Sequence, residues 1–340
     1  MHKTVVDLLI CPLCHGLLDW TIEEQDERRI LQADAYCSSC DVHYPVRDGI
    51  GLFVTPTLRK DDLWEEAASG LMGYLRANPE IERALMEQPL DALTPADQML
   101  RTMWLEDQGN FEEAKRVADV AMSGLYTPEY VECFRSQTEF VYAQVASHAP
   151  ESPILDIASG RGYLVERLLA LPNRLVIATD VSPRILRRDR QYLSMMGLYD
   201  RVTLLAFDAR QTPFKAGSIQ TMTTNLGLPN IDQPDLLLWE LRRICEGTLF
   251  AINHFLPPND TPNIEAISAM LPPDLLIKSS TTTHFAEAGW KVELANLCSG
   301  IAQPTPPSTL IEGLKIDTLP ATETVFDWCV LVATPAEHSQ

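Results

Sequence analysis

From Pro153 onward the chain alternates short apolar runs with segments whose apolar residues recur every three or four positions. Runs of the first kind predict buried strands, and segments of the second predict amphipathic helices. "PILDIA" is the first strand, "SGRG" a turn, and "YLVERLLAL" a helix with Leu164, Leu168 and Leu171 on one face. "RLVIATD" predicts a second strand. "SPRILRRDRQYLSMMG" predicts a helix capped by Ser182 with Pro183 at its first position, and "RVTLLAFD" a third strand. "SIQTMTTN" and "GTLFAINHF" follow as the fourth and fifth, with the helix "PDLLLWELRRI" between them. Such alternation predicts a doubly wound α/β fold, a mostly parallel sheet that binds ligands beyond the carboxyl ends of its strands.

Between Asp61 and His148 the pattern is helical and acidic, punctuated by Pro79, Pro89, Pro95 and Pro128. It predicts four or five short helices, the last from about Pro128 to Ala146. This segment reads either as a connector or as a lid over a pocket.

Near the N-terminus, Cys11-x-x-Cys14 and Cys37-x-x-Cys40 are separated by 22 residues of hairpin-like texture. Two such knuckles bring four thiolates into a tetrahedron around a structural zinc ion. A redox pair or two disulfides are the competing readings; the doubled spacing and the lack of an export signal favour the metal. Four cysteines leave no open coordination position, so catalytic zinc is not expected. His15 and His43 read as surface residues, and Cys133, Cys245, Cys298 and Cys329 as isolated packing residues. "LLICPLCHGLL" with "YCSSCDVHYPVRDGIGLFV" resembles the small zinc-ribbon family that partners and activates tRNA, rRNA and release-factor methyltransferases. The expected organisation is a zinc ribbon at 1–58, a helical connector at 59–148 and the α/β domain at 149–340.

Asp156, Asp180 and Asp208 fall at or near the carboxyl ends of three successive predicted strands, and Gly160 and Gly162 permit close approach of a ligand to the backbone. A dinucleotide site needs G-x-G-x-x-G, whereas here Gly160-x-Gly162 is followed by Val165 at the third glycine position. A ligand without phosphates, offering ribose hydroxyls and an adenine amine to carboxylates, suits the three acids, and S-adenosylmethionine is such a molecule. The quoted stretches "ILDIASGRG", "ATDVS" and "FDARQTPFKAGSIQTM", continued by "NLGLPNI" and "LWELRRI", resemble the class I S-adenosylmethionine-dependent methyltransferases. Within that family they are most like the branch that includes the ubiquinone and menaquinone biosynthesis enzymes.

The resemblance implies a seven-stranded Rossmann-like sheet whose last strand, "TVFDWCVLVATP", is antiparallel and inserted beside its neighbour. It implies Asp180 on the ribose hydroxyls, Asp208 on the adenine amine, and Asp156, Gly160 and Gly162 around the methionine end. Ala158, Ser159, Val181 and Ala209 complete the implied contacts. Asn225 would face the reacting methyl group. Asn225 and His254 are the candidates for a catalytic role, with a structural histidine the competing reading of His254 and His284 weaker still.

A formal net charge of -20 argues against a nucleic-acid partner and favours a small-molecule or protein acceptor. The stretch Arg161–Lys215, with ten bases against five acids, is the exception. It reads as a solvated helix face; an rRNA or tRNA base acceptor recognised through the ribbon is the alternative, and a non-enzymatic scaffold another. No apolar run is long enough to span a membrane, and the chain reads as cytoplasmic.

Overall fold

A computed structural model describes residues 1–56, 58, 63–148 and 152–336, with side chains from Gly70 onward in the first connector helix. The links 59–62 and 149–151, where the expected domain boundaries and Asp61 fall, lie outside the described residues.

The N-terminal segment forms four strands, β1 (Asp19–Gln25), β2 (Ile30–Cys37), β3 (Val42–Arg47) and β4 (Ile50–Leu52). Five helices follow, as the proline punctuation predicts: α1 (Leu63–Ala77), α2 (Pro79–Glu87), α3 (Pro95–Asp107), α4 (Phe111–Leu125) and α5 (Pro128–Ser147). Proline opens α2, α3 and α5, where its fixed φ suits a first helical turn and no amide is missed. The alternating part comprises β5 (Ile154–Asp156), α6 (Tyr163–Leu168), β6 (Val176–Asp180), α7 (Pro183–Met195), β7 (Val202–Ala206), β8 (Ile219–Asn225), α8 (Pro234–Ile244) and β9 (Cys245–Phe255). Then come α9 (Thr261–Ser268), α10 (Lys278–Glu287), β10 (Trp290–Ala302) and β11 (Thr324–Pro335).

Strands β5 to β11 lie in the order β7-β6-β5-β8-β9-β11-β10. Pairings from β7 through β9 are parallel, and β11 is antiparallel to both β9 and β10, inserted as the resemblance implied. The chain reverses at the β5/β8 switch point, so the carboxyl ends of these two strands open a crevice there. Every residue of β5 and β7 is buried, which accounts for their unbroken apolar texture.

The N-terminal strands do not stand apart from this sheet. β4 pairs in parallel with β7, extending it to eleven strands. Cys11, Tyr44 and Phe53 of the N-terminal segment share one continuous core layer with Phe207, Phe214 and the buried face of α8. The opposite layer packs α5, α6 and α7 against Ile154, Val176, Ile252 and Trp328. Asp97 of α3, fully buried, accepts hydrogen bonds from Ser308 Oγ, Thr309 N and Thr309 Oγ1, which fastens the connector to the loop between β10 and β11.

Candidate functional site

β5 ends at Asp156, and the chain then turns through residues 157–162 with left-handed φ values at Ala158 (51°), Gly160 (51°) and Gly162 (74°). Two of these three positions carry glycine, which adopts that conformation without a Cβ clash. The turn is sewn to β6: Ser159 N donates to Thr179 O at 2.7 Å, and Thr179 N donates to Ser159 Oγ at 3.0 Å. Gly160 N donates to Asp180 Oδ2 at 3.1 Å, while Asp180 Oδ1 accepts from Ser182 N at 2.9 Å. One carboxylate thus fixes both the glycine turn and the start of α7. Ser182 caps that helix, as predicted.

The three acids sit differently. Asp156 lies buried beneath the turn, takes a 2.5 Å hydrogen bond from Thr223 Oγ1, and is pushed up to about 6 by burial. Asp180 stands at the rim. Asp208 is gripped by Arg210, whose Nε reaches Oδ1 at 2.9 Å and whose Nη2 reaches Oδ2 at 2.8 Å; Arg210 also pairs with Asp232. Ala209 follows Asp208 in the same turn and is nearly buried, while Val181 is exposed beside Asp180.

At the end of β8, Asn225 keeps accessible surface while its Oδ1 is buried without a hydrogen-bond partner. The turn after it closes on the glycine turn, where a Cβ on Gly227 would fall 2.9 Å from the Cβ of Ala158. His254, on the adjacent strand β9, stacks on Phe326 at 4.0 Å between ring centroids and meets Trp328 edge-on at 4.9 Å. Burial holds its imidazole down to about 3, so it is neutral at physiological pH. His284 pairs with Asp235 at 2.6 Å across α10 and α8.

The connector reaches this site. Glu106, at the end of α3, accepts from Arg161 Nη2 and Arg188 Nη2, both at 2.6 Å. Arg161 is the residue between the two glycines of the turn, and Arg188 Nη1 donates to its carbonyl at 3.1 Å. The basic stretch noted in the sequence is largely engaged in this way. Arg184 pairs with Asp107, Arg167 with Glu139, Arg190 with Asp48, and Arg201 binds the carbonyls of Leu169 and Leu171.

Cys11, Cys14, Cys37 and Cys40 converge at the knuckle ends of the hairpins, with all four sulfurs within 4.8 Å of one another. Cys14 and Cys37 Sγ are 3.5 Å apart and Cys11 and Cys40 Sγ 4.0 Å. Four thiolates at about 2.3 Å from one zinc ion stand about 3.8 Å apart, so the donor set fits that metal. His15 is exposed, and His43 pairs with Asp34 at 2.5 Å outside the cluster. Cys133 and Cys298, expected singly, instead face each other with sulfurs 2.8 Å apart, because a bulge in β10 between Ala295 and Cys298 turns Cys298 toward α5.

Residues 154–247 match the family model described as a methyltransferase domain. The ubiquinone/menaquinone biosynthesis C-methyltransferase of Agrobacterium fabrum is 30% identical over 99 residues, 28% of this chain and 38% of that protein. Its counterpart in Legionella pneumophila strain Philadelphia 1 is 29% identical over 121 residues, 34% of this chain and 48% of that protein. The chain therefore spans less than half the length of these relatives. Among solved structures, YcgJ of Bacillus subtilis is similar with 14% identity and a TM-score of 0.47, covering 60% of this chain and 99% of that one. The geranyl diphosphate C-methyltransferase of Streptomyces coelicolor A3(2), 15% identical with a TM-score of 0.45, covers 59% and 79%. Strand order, glycine turn and family match agree in giving residues 154–247 the Rossmann-like α/β fold of a methyltransferase domain.

Proposed function

We propose that the protein is an S-adenosylmethionine-dependent methyltransferase acting on a small molecule, with one structural zinc ion in its ribbon. The observation that carries this reading is the glycine turn pinned to the Asp180 carboxylate at the switch point of the sheet. The site fits the cofactor: a Cβ on Gly160 would meet nothing within 4 Å, which leaves room over the turn, and Asn225 Oδ1 awaits a donor. Asp180 would hold the ribose hydroxyls, Asp208 and the Ala209 amide the adenine edge, and Gly160 and Gly162 with Ser159 the methionine end. Asp156 acts from below, keeping the turn in shape through Thr223.

When bound, the cofactor supplies a methyl group activated by its sulfonium, and the transfer is a direct displacement. The residues of the chain therefore have to align the acceptor and exclude water rather than provide a strong base. Asn225 orients the reacting end, and neutral His254 contributes an apolar ring wall. The relatives named as C-methyltransferases support carbon as the atom methylated. The consumption of Arg161, Arg184, Arg188 and Arg210 in ion pairs supports a small acceptor over RNA, because paired guanidiniums do not offer the counter-charge that phosphates require. No helix among the described residues is long and apolar enough to cross a membrane.

The test is to supply methyl-labelled S-adenosylmethionine with a metabolite extract, total RNA or total protein as acceptor. Label is expected in the solvent-extractable fraction. Label in RNA would contradict the small-molecule reading, and binding of cofactor with no label in any fraction would favour the scaffold alternative.

A further inference from the structure

Cys133 of α5 and Cys298 of β10 are 165 positions apart in the chain, yet their sulfurs stand 2.8 Å apart. The ribbon sulfurs approach one another only to 3.5 and 4.0 Å, and two thiolates on one zinc ion stand about 3.8 Å apart. The closer spacing suits a sulfur–sulfur bond rather than a shared metal ion. A disulfide needs a bond of about 2.05 Å, a further approach that rotation of the two side chains supplies. Among the described residues, the groups able to gather a metal lie elsewhere, at the ribbon and around His284.

Several contacts hold the two cysteines together. Asn296, at a φ of 51° in the bulge of β10, donates through Nδ2 to Ser136 Oγ and Gln137 Oε1, both at 3.1 Å. Gln137 Nε2 donates back to Asn296 O at 2.9 Å and to Cys298 Sγ at 3.2 Å. Gln137 is fully buried, so water does not compete for these bonds and the bulge is fixed against α5. A Cβ on Gly300 would fall 3.0 Å from Glu129 O and 3.4 Å from Cys133 Sγ; the glycine lets the helix come this near. Trp328 is the register partner of Cys298 and lies in the layer of α5, whereas Cys329 belongs to the opposite layer. The two thiols differ in access. Cys133 is 5% exposed, and burial, with Cys298 beside it, pushes its thiol up to about 12. Cys298 keeps accessible surface, follows the exposed Leu297, and borders an open recess of about 250 Å³.

We propose that Cys133 and Cys298 are a thiol modification site: a hydroperoxide oxidises Cys298, and Cys133 resolves it into a disulfide that locks the connector helix α5 onto β10. In the first step the Cys298 sulfur attacks one peroxide oxygen and the O–O bond breaks. Cys298 becomes a sulfenic acid, and the other oxygen leaves as an alcohol, or as water from hydrogen peroxide, carrying the thiol proton. In the second step the Cys133 sulfur attacks the Cys298 sulfur and the S–O bond breaks. The hydroxide leaves with the Cys133 proton as water. The two sulfurs together lose two electrons and the peroxide gains them. A buried resolving thiol with no path to solvent is protected from oxidation by itself, so the order of events follows from exposure.

The test uses the full, zinc-loaded chain with hydrogen peroxide as probe, in small molar excess, followed by peptide mapping and thermal melts. We expect a peptide pair linked through Cys133 and Cys298, and a thermal midpoint raised by about 5 °C, because the bond closes a long loop. Dithiothreitol should reverse both changes. Mapping keeps this link separate from any oxidation of the ribbon cysteines. Cys298→Ser, at the more exposed position, should form no link and show no rise. Cys133 in that variant should be alkylated by iodoacetamide at least about tenfold more slowly than Cys298 in Cys133→Ser. Cys133→Ser should leave a sulfenic acid on Cys298 that dimedone traps. Both thiols surviving peroxide in the parent, or Cys298 passing to the sulfinic acid while Cys133 stays reduced, overturns the proposal. A link that leaves the midpoint unaltered overturns the locking of α5.

Discussion

Replacing Glu106 by Gln separates the connector from the cofactor turn with little change of shape. The Glu106 side chain is 9% exposed and receives two guanidiniums, Arg188 at 17% and Arg161 at 29% exposure. Exposed ion pairs contribute about 0–1 kcal/mol, whereas unmaking a buried pair costs about 3–5 kcal/mol. This triad lies between those limits, and Asp189, which accepts from Arg188 Nη1 at 2.7 Å, still neutralises one of the two cations in the variant. A loss of about 2 kcal/mol of stability is therefore expected. Arg161 belongs to the turn itself, so part of that loss appears as a looser cradle and S-adenosylhomocysteine affinity falls about three- to tenfold. Urea unfolding and calorimetric titration of the two proteins measure both effects. Unchanged cofactor affinity, with less than about 0.5 kcal/mol of destabilisation, would refute the coupling.

Ala158→Gly should stabilise the protein by about 1 kcal/mol in urea melts, because a residue with a Cβ is held at φ 51°; a destabilised variant would show that the Ala158 methyl contact beside Gly227 outweighs the strain. His254 is held down to about 3, so below the ordinary value of 6.5 the unfolded chain binds a proton that the folded chain refuses. Stability is then lost as pH falls, by about 1.4 kcal/mol per unit, and His254→Phe should lose about 2 kcal/mol less than the parent between pH 7 and 5. The parent's remaining acid response includes Asp156, raised to about 6, which works in the opposite sense from pH 6 down to 3.8; equal pH slopes in parent and variant would contradict the His254 assignment. Metal analysis should find one zinc ion per chain, and Cys37→Ser should lose it and lower the thermal midpoint, since the ribbon shares its core with Phe207 and Phe214. A metal-free protein with an unaltered midpoint would refute that prediction.

Local order was legible where one stretch of chain decides it. The strand, turn and helix around Asp156, the Ser182 cap, the bounds of α8 and the inserted last strand follow from periodicity, capping chemistry and family likeness. α6 ends at Leu168, short of the predicted Leu171, although Leu164, Leu168 and Leu171 are all buried as that pattern requires. What the sequence hides is pairing across distance. The union of β4 with β7 uses backbone groups that leave no side-chain pattern, and Glu106 meets Arg161 from 55 residues away. The Cys133–Cys298 pair depends on one bulge, with Asn296 at a left-handed φ of 51°. Among the three acids, Asp156 and Asp180 close their strands as predicted while Asp208 lies two residues past the end of β7, and neither the burial of Asp156 nor the grip of Arg210 on Asp208 is written in spacing. Arg210 lies two residues from Asp208, and only the geometry distinguishes a surface arginine from one that occupies a ligand-facing carboxylate.

The most direct test of the account is calorimetric titration of the zinc-loaded protein with S-adenosylmethionine and S-adenosylhomocysteine, repeated on Asp180→Ala. That carboxylate pins Gly160 and Ser182 and is the group assigned to the ribose hydroxyls. The account predicts micromolar binding of both ligands by the parent and a loss of at least about a hundredfold in the variant, as removal of charge-assisted hydrogen bonds of about 1.5–3 kcal/mol each requires. No binding to the intact parent, or equal binding by the variant, would contradict it.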